Sequence, residues 1–369
     1  MTTAAIAFGI ALAASLGLTV PVRALALRVG MVDLPGPRKV HGAPIPLLGG
    51  LAMYSGVVLA VLVTMNGEAL RQIVGVLAGA TLVAAVGIAD DRGLLHHQIK
   101  LFVGMPAAGV MLIASGVRMH LVETLWPGRW AQAADIGMTL LWVVGITASF
   151  SIFDHMDGLC AGVTAMASVF FLVFAGLSGQ VLVSTMAAAV LGAAVGFLRW
   201  NFNPAKIFMG DGGAMFLGFL MATLGLKLRL SELPHATSWM IPVLILGVPV
   251  FDTMLVTISR SRRGLLPFAT PGKDHAAHRL ANLGLGQRGA VVALYALGAV
   301  FGTLAIAVSR VGEQAGVAIG IAALAGALAG VGMMEKAPFE RQGEKGEGIR
   351  AQGREDSSQL SPISKKTFV

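Results

Sequence analysis

Charge and cysteine are what this chain has least of. Only 12% of its 369 residues are Asp, Glu, Lys or Arg, while 56% are hydrophobic and the mean hydropathy is +0.78. Soluble domains carry about a quarter charged residues, so the composition excludes an ordinary soluble enzyme and reads as an integral membrane protein. Cys160 is the single cysteine, which rules out an intramolecular disulfide framework. No basic residue precedes the first apolar run, which therefore reads as a retained span rather than a cleavable signal peptide. No internal repeat and no polar stretch of domain size is found. The net charge of +8 does not imply nucleic acid, because the basic residues stand in short clusters between apolar runs and offer no binding face.

What is present is a series of apolar runs, at about 4–27, 47–65, 70–88, 99–117, 137–153, 160–178, 181–198, 213–230, 239–258, 289–309 and 316–334. These are eleven candidate transmembrane helices, most close to the length that crosses the hydrocarbon; the fifth is marginal and reads as a short or tilted helix. With the N-terminus outside, the inner side holds 20 of the 27 lysines and arginines, thirteen in loops or helix ends and seven in residues 335–369. The expected fold is an all-α polytopic membrane protein with its catalytic loops on the cytoplasmic face. Residues 1–334 make its membrane domain, and the polar, mixed-charge residues 335–369 a disordered cytoplasmic tail. Trp126 and Trp130, in the outer loop 118–136, read as interfacial anchors.

The acidic residues sort with this topology. Asp33, Asp90, Asp91, Asp154, Asp157, Asp211 and Asp274 fall in inner loops or at inner helix ends, Asp252 lies towards the inner end of the ninth run, and the glutamates are outside or in the tail. The positive-inside rule gives no cause for that bias. A metal site at the bundle mouth does, since Mg²⁺ takes hard oxygen ligands and Mn²⁺ meets the same donors.

Asp211 stands among glycines in NFNPAKIFMGDGG, residues 201–213, between two apolar runs. Buried in hydrocarbon it would cost roughly 2.5–3.5 kcal/mol, so a water interface, a cation or a cavity is expected. Its glycines leave main-chain N–H groups open to phosphate oxygens, and Asn201 and Phe208 share the stretch. Asp90 and Asp91, in GIADDRGLLHHQIK, follow the third run; neighbours on a helix point about 100° apart, which favours dividing metal contact and proton acceptance between them. Lys100 and Arg92 nearby suit a phosphate. Asp154 and Asp157, in SIFDHMDGLCAG, share one helical face if the fifth helix reaches them, and Gly158 is placed to end it. His155 between them reads as a solvated side chain more readily than as a base or ligand. The loop after the ninth run carries Arg260, Arg262 and Arg263 and then His275, His278 and Arg279, a set for anion binding rather than zinc. Arg38, Lys39 and His41 lie in a Pro- and Gly-rich first inner loop at the membrane surface.

Together these segments resemble the polyprenyl-phosphate N-acetylhexosamine-1-phosphate transferases over residues 33–280, with HxxH and PAKIFMGD closer to the N-acetylglucosamine branch than to the phospho-N-acetylmuramoyl-pentapeptide branch. RKVHGAPIPLLGG is similar to the family's first-loop motif, GIADDRGLLHHQIK to its paired aspartates, SIFDHMDGL to its Asp-x-x-Asp-Gly-Leu element, NFNPAKIFMGDGG to its Met-Gly-Asp motif, and KDHAAHRL to its histidine loop. VPVFDT, with Asp252, also fits. The resemblance implies transfer of a sugar-1-phosphate, GlcNAc-1-phosphate first among the candidates, from a UDP-N-acetylhexosamine to undecaprenyl phosphate in a bacterial inner membrane, with Mg²⁺ and as a homodimer. It implies Asp211 and Asp91 at the metal, Asp90 and Asp91 at the lipid phosphate, Phe208, Asp154 and Asp157 at the uridine part, and His275, His278 and Arg279 at the diphosphate or sugar. Asn201, Arg38, Lys39, His41 and Lys100 complete the expected substrate contacts. Ala148, Ser151, His155, Ala214 and Ala277 depart from the family pattern. A transporter or flippase is the rival class, with an inactive scaffold relative the third reading; aspartates gathered at one face argue against transport, whose ionisable groups sit near the midplane.

Overall fold

The structure is a computed structural model and describes residues 2–34, 43–65, 69–95, 97–266 and 272–337. Its principal helices run in order α1 (Thr2–Arg28), α2 (Gly50–Thr64), α3 (Leu70–Asp91), α4 (Lys100–Ala114), α5 (Arg129–Phe153), α6 (Leu159–Leu177), α7 (Val181–Asn201), α8 (Gly210–Lys227), α9 (His235–Ile245), α10 (Gly247–Arg262), α11 (Ala276–Arg310) and α12 (Glu313–Met334). An all-α architecture follows from the composition: in hydrocarbon every backbone polar group must be satisfied within its own segment. Among the described residues, seven helices are long and apolar enough to cross a membrane, and eight if α9 and α10, bent by 78° at their junction, form one broken span.

The bundle is built around α8. From Gly210 to Gly225 all but Asp211 of its residues are buried, and it packs on α2, α3, α5, α6 and α7. A helix that is apolar on every side belongs in such a centre. Its 18 residues rise about 27 Å, and the 15 of α2 about 22 Å. Small residues set the closest packing, between α1 and α7. α1 buries Ala4, Ala7, Ala11, Ser15 and Thr19 along one stripe, and Ser15 Oγ donates to the Ala193 carbonyl at 2.8 Å. A Cβ at Gly192 would lie 2.3 Å from the Phe8 carbonyl oxygen, so only glycine fits there.

Three local expectations change. The fifth run forms a full helix of 25 residues, because α5 starts at Arg129 and takes in residues assigned above to an outer loop. Asp135, which interrupts the apolar pattern there, is buried and accepts N–H bonds from Leu121, Val122 and Glu123 at 2.9–3.1 Å. Asp154 and Asp157 do not share a helical face: α5 ends at Phe153, α6 begins at Leu159, and the residues between form a turn. The inner loop after α1 contains a two-residue antiparallel ribbon, Val32–Asp33 with Ile45–Pro46. Arg38, Lys39 and His41 lie outside the described residues, as does the tail beyond Ala337.

Candidate active site

Two short backbone connections fix the start of α8. Phe208 N–H donates to the Pro46 carbonyl at 2.8 Å, and Gly49 and Gly50 N–H donate to the Phe208 and Met209 carbonyls at 2.8 and 2.9 Å. The PIPLLGG segment is thereby laid against IFMGD. Gly210 then turns the chain with φ +73°, and a Cβ on it would lie 2.4 Å from Asp91 Oδ2. Both facts require glycine.

Asp90 and Asp91, the last two residues of α3, are separated in role by the helical rotation between them. Asp91 accepts the N–H groups of Asp211 and Gly212 at 2.8 and 3.1 Å, so its carboxylate caps the first turn of α8 and meets the positive end of that helix. Asp90 Oδ2 instead accepts from Lys100 Nζ at 2.7 Å. The same ammonium is bonded to Asp211 Oδ2, while Asp211 Oδ1 accepts from Ser151 Oγ at 2.7 Å. Lys100 thus lies between carboxylates from α3 and α8, half-buried and charge-balanced. Two hard-oxygen groups converging on a cation suit Mg²⁺ or Mn²⁺ chemically, provided the flexible lysine moves aside or shares them.

The turn 154–157 connects this acidic cluster to a histidine cluster. Burial, and then the negative charges of Asp211, Asp91 and Asp157, hold the Asp154 carboxyl well above the usual carboxylate range. Asp157 Oδ2 accepts from the Ala205 N–H and Asn203 Nδ2, each at 3.0 Å. Asn203 Nδ2 also reaches Gln287 Oε1 at 2.7 Å, and Arg288 Nε donates to the Asn203 carbonyl at 3.0 Å. Asn201 is buried; its amide oxygen accepts the Gly158 N–H and its NH₂ donates to the Ile207 carbonyl, both at 3.0 Å, tying the end of α7 to the turn.

His155 lies against His275 and His278, with ring centroids 4.0 and 4.8 Å away. Burial, then His275 and His278, push its imidazole well below the usual range, so the ring is neutral. His275 Nδ1 is 2.7 Å from Asp252 Oδ2, and Asp252 Oδ1 accepts the Ala276 N–H at 2.7 Å. Asp274 is gripped by Arg260 through Nε at 3.0 Å and Nη2 at 2.8 Å, and by Arg263. Although burial raises the Asp274 carboxyl, these arginines outweigh it and hold it at about 2. Arg279 is fully buried and joins three helices: it donates to the Asp274 carbonyl at 2.8 Å, Ser259 Oγ at 2.8 Å, the Met334 carbonyl at 2.6 Å and Glu335 Oε1 at 3.0 Å.

The structure therefore gathers Asp90, Asp91, Lys100, Asp154, Asp157, Asn201, Phe208, Asp211, His275 and His278 at one end of the bundle, with the donors of Arg279 turned to α10 and the end of α12. Sequence reasoning passed over Ser151 and Asn203 as partners and gave His155 little weight. Asp252 had a readable signal, a carboxylate inside an apolar helix.

Residues 73–229 match the model of glycosyl transferase family 4. The chain is 36% identical over 307 residues to the "Probable undecaprenyl-phosphate N-acetylglucosaminyl 1-phosphate transferase" of Bacillus subtilis, covering 82% of this chain and 84% of that one. It is 33% identical over 308 residues to the decaprenyl-phosphate N-acetylglucosaminephosphotransferase of Mycobacterium tuberculosis, covering 75% of each. Identity to the undecaprenyl-phosphate alpha-N-acetylglucosaminyl 1-phosphate transferase of Yersinia pestis is 27% over 277 residues, 73% of this chain and 74% of the relative. This multi-pass membrane protein belongs to glycosyl transferase family 4, in the branch of the polyprenyl-phosphate N-acetylglucosamine-1-phosphate transferases.

Proposed function

We propose that the chain transfers N-acetylglucosamine-1-phosphate from its UDP donor to undecaprenyl phosphate, giving a lipid-diphosphate-sugar and UMP. The observation that carries this reading is the meeting of Asp90 and Asp211, from the ends of two helices, on the Lys100 ammonium. The relatives' names support a polyprenyl phosphate as acceptor and a GlcNAc-phosphate as the group moved.

An oxygen of the lipid phosphate attacks the sugar-bearing phosphorus of the donor, and the bond from that phosphorus to the UMP oxygen breaks in line. Asp90 takes the remaining proton of the lipid phosphate. Mg²⁺ or Mn²⁺ would be held by Asp211 together with Asp90, in place of the Asp91 expected from the sequence, whose carboxylate is taken by the N–H groups of Asp211 and Gly212, and would supply neutralisation of the diphosphate charge. Asp91 acts through its hold on the first turn of α8, which keeps Asp211 aimed. Lys100 meets the lipid phosphate, and Phe208, Asp157 and Asn201 shape the uridine side. Asp154, whose carboxyl is held well above the usual carboxylate range by burial, faces the same side. His275 and His278 face the sugar or diphosphate, Arg279 braces that wall, and Arg38, Lys39 and His41 contribute cationic and donor groups for the lipid headgroup.

The same reading has eleven spans. To the seven long helices and the bent pair this reading adds α2, α4 and α8 as further crossings. The N-terminus is outside, the site faces the cytoplasm, residues 335–369 form a cytoplasmic tail, and the protein is a homodimer of the bacterial inner membrane. The purified chain, given radiolabelled UDP-GlcNAc, undecaprenyl phosphate and Mg²⁺, should form a labelled lipid and release UMP. No lipid-linked product with this or any other UDP-N-acetylhexosamine would overturn the reading. Asp211→Asn should abolish turnover while the protein still inserts; full activity would remove Asp211 from the site.

A further inference from the structure

Beside the acidic cluster stands a second group of ligating side chains that the transfer reaction does not require as a metal site. Ligand atoms of His155, Asp252 and His275 all lie within 4.8 Å of one another, on the turn 154–157, in α10 and just before α11. Asp252 and His275 are buried, and both ring nitrogens of His155 are buried without a hydrogen-bond partner among the described residues. A buried polar group left unmet costs about 1–3 kcal/mol, so native proteins seldom keep one without an ion or water to answer it. His155 Nε2 lies 3.9 Å from Asp252 Oδ2, too far for a hydrogen bond. Two ligands at about 2.0–2.2 Å from one tetrahedral ion sit roughly 3.3–3.5 Å apart, so a shift of roughly half an ångström would bring both onto it.

The rest of the environment fits. Asp252 Oδ1 is held by the Ala276 N–H, and Oδ2 faces both imidazoles; its 2.7 Å hydrogen-bond contact with His275 Nδ1 would open by roughly 0.7 Å to admit an ion between them. The Arg260 guanidinium approaches His275 at Nε2, the nitrogen opposite the one facing Asp252, and its charge is met by the paired bonds to Asp274. Two imidazoles and one carboxylate are a donor set that zinc-class ions favour and Mg²⁺, which demands oxygen, does not.

We infer that His155, Asp252 and His275 form a binding site for a zinc-class divalent transition-metal ion, separate from the carboxylates of Asp90 and Asp211. The ion would fasten the 154–157 turn to α10 and to the start of α11, and so fix the wall between the acidic and histidine clusters.

Full-length chain without a histidine tag, purified in detergent and stripped by chelator, is titrated with Co²⁺. The expected result is about one equivalent bound, with the visible absorption of cobalt in a nitrogen-containing, low-coordinate site, unaffected by excess Mg²⁺. His155→Ala and His275→Ala should each weaken binding by about tenfold or more while eluting as the same monodisperse species. Asp211→Asn should leave the cobalt isotherm unchanged, which separates this site from the transferase site whatever its activity. Absence of the band at stoichiometric cobalt, displacement by Mg²⁺, an unaltered isotherm in His155→Ala, or loss of binding in Asp211→Asn would each overturn the inference.

Discussion

At the residue scale, the acidic cluster depends on two side-chain choices that single substitutions can test. Lys100 makes charge-assisted hydrogen bonds to both Asp90 and Asp211. Bonds to charged groups contribute about 1.5–3 kcal/mol. If that contribution reaches the transition state, Lys100→Met should lower kcat by about 10- to 100-fold, since each 1.4 kcal/mol is a factor of ten. Steady-state turnover with the lipid acceptor measures it, and a kcat within twofold of the parent would show that Lys100 is only a surface-facing partner. Gly210→Ala combines an unfavourable left-handed backbone, worth about 1–2 kcal/mol, with a Cβ that displaces the Asp91 carboxylate from the first turn of α8. A lower thermal midpoint in detergent and a loss of turnover are expected together. Asp211 at a helix start was legible from Gly-Asp-Gly-Gly alone. The capping role of Asp91 was not, because its partners lie far along the chain and nothing local marks the pairing. Ser151 read only as a departure from a family pattern, yet its hydroxyl is what holds Asp211 Oδ1.

At the element scale, the junction of α10, α11 and α12 is held by buried charge. Arg279 was read as an anion contact because it follows two histidines in a basic loop; only the return of the chain end to this place shows its donors engaged by Ser259, Asp274, Met334 and Glu335. Removing one partner of a buried ionic network costs about 3–5 kcal/mol. Arg279→Met should therefore unfold at markedly lower denaturant or temperature than the parent, and equal stability would refute the bracing role. Asp274 gives this junction a pH signature. Its native pKa of about 2 lies below the ordinary carboxylate value, so ionised Asp274 stabilises the fold fully above about pH 4. That contribution is lost as pH falls from about 4 through about 2. Acid titration of the thermal midpoint should show the loss, and Asp274→Asn should flatten the curve over that window while starting lower at neutral pH. The expectation that Asp154 and Asp157 share a helix face failed for a reason of the same scale: a three-residue spacing is meaningful only while the helix continues, and α5 stops one residue short of Asp154.

At the scale of the whole molecule, the apolar runs anticipated where helices form but not how many are long enough to cross alone. α2 and α4 are shorter than the long helices, whereas α8 has 18 residues but dilutes its apolar character with glycines, Asp211 and Lys227. The site itself tests the topology. Asp91 at the end of α3, the turn after α5 and the start of α8 are in mutual contact or charge interaction, which alternating crossings satisfy only if each of these ends lies on the same face. We place that face on the cytoplasmic side, because on the proposed topology it holds most of the basic residues. The single cysteine makes this directly measurable, because Cys160 is buried and gives little background to a membrane-impermeant thiol reagent. Lys206 and Glu232 are both exposed, one in the loop before α8 and the other in the loop after it. In intact cells, a cysteine introduced at Glu232 should label from outside and one introduced at Lys206 should label only after the membrane is permeabilised. The reverse pattern would invert the orientation, and labelling of both from outside would mean that α8 does not complete a crossing, which would reduce the count of eleven spans at its most buried helix.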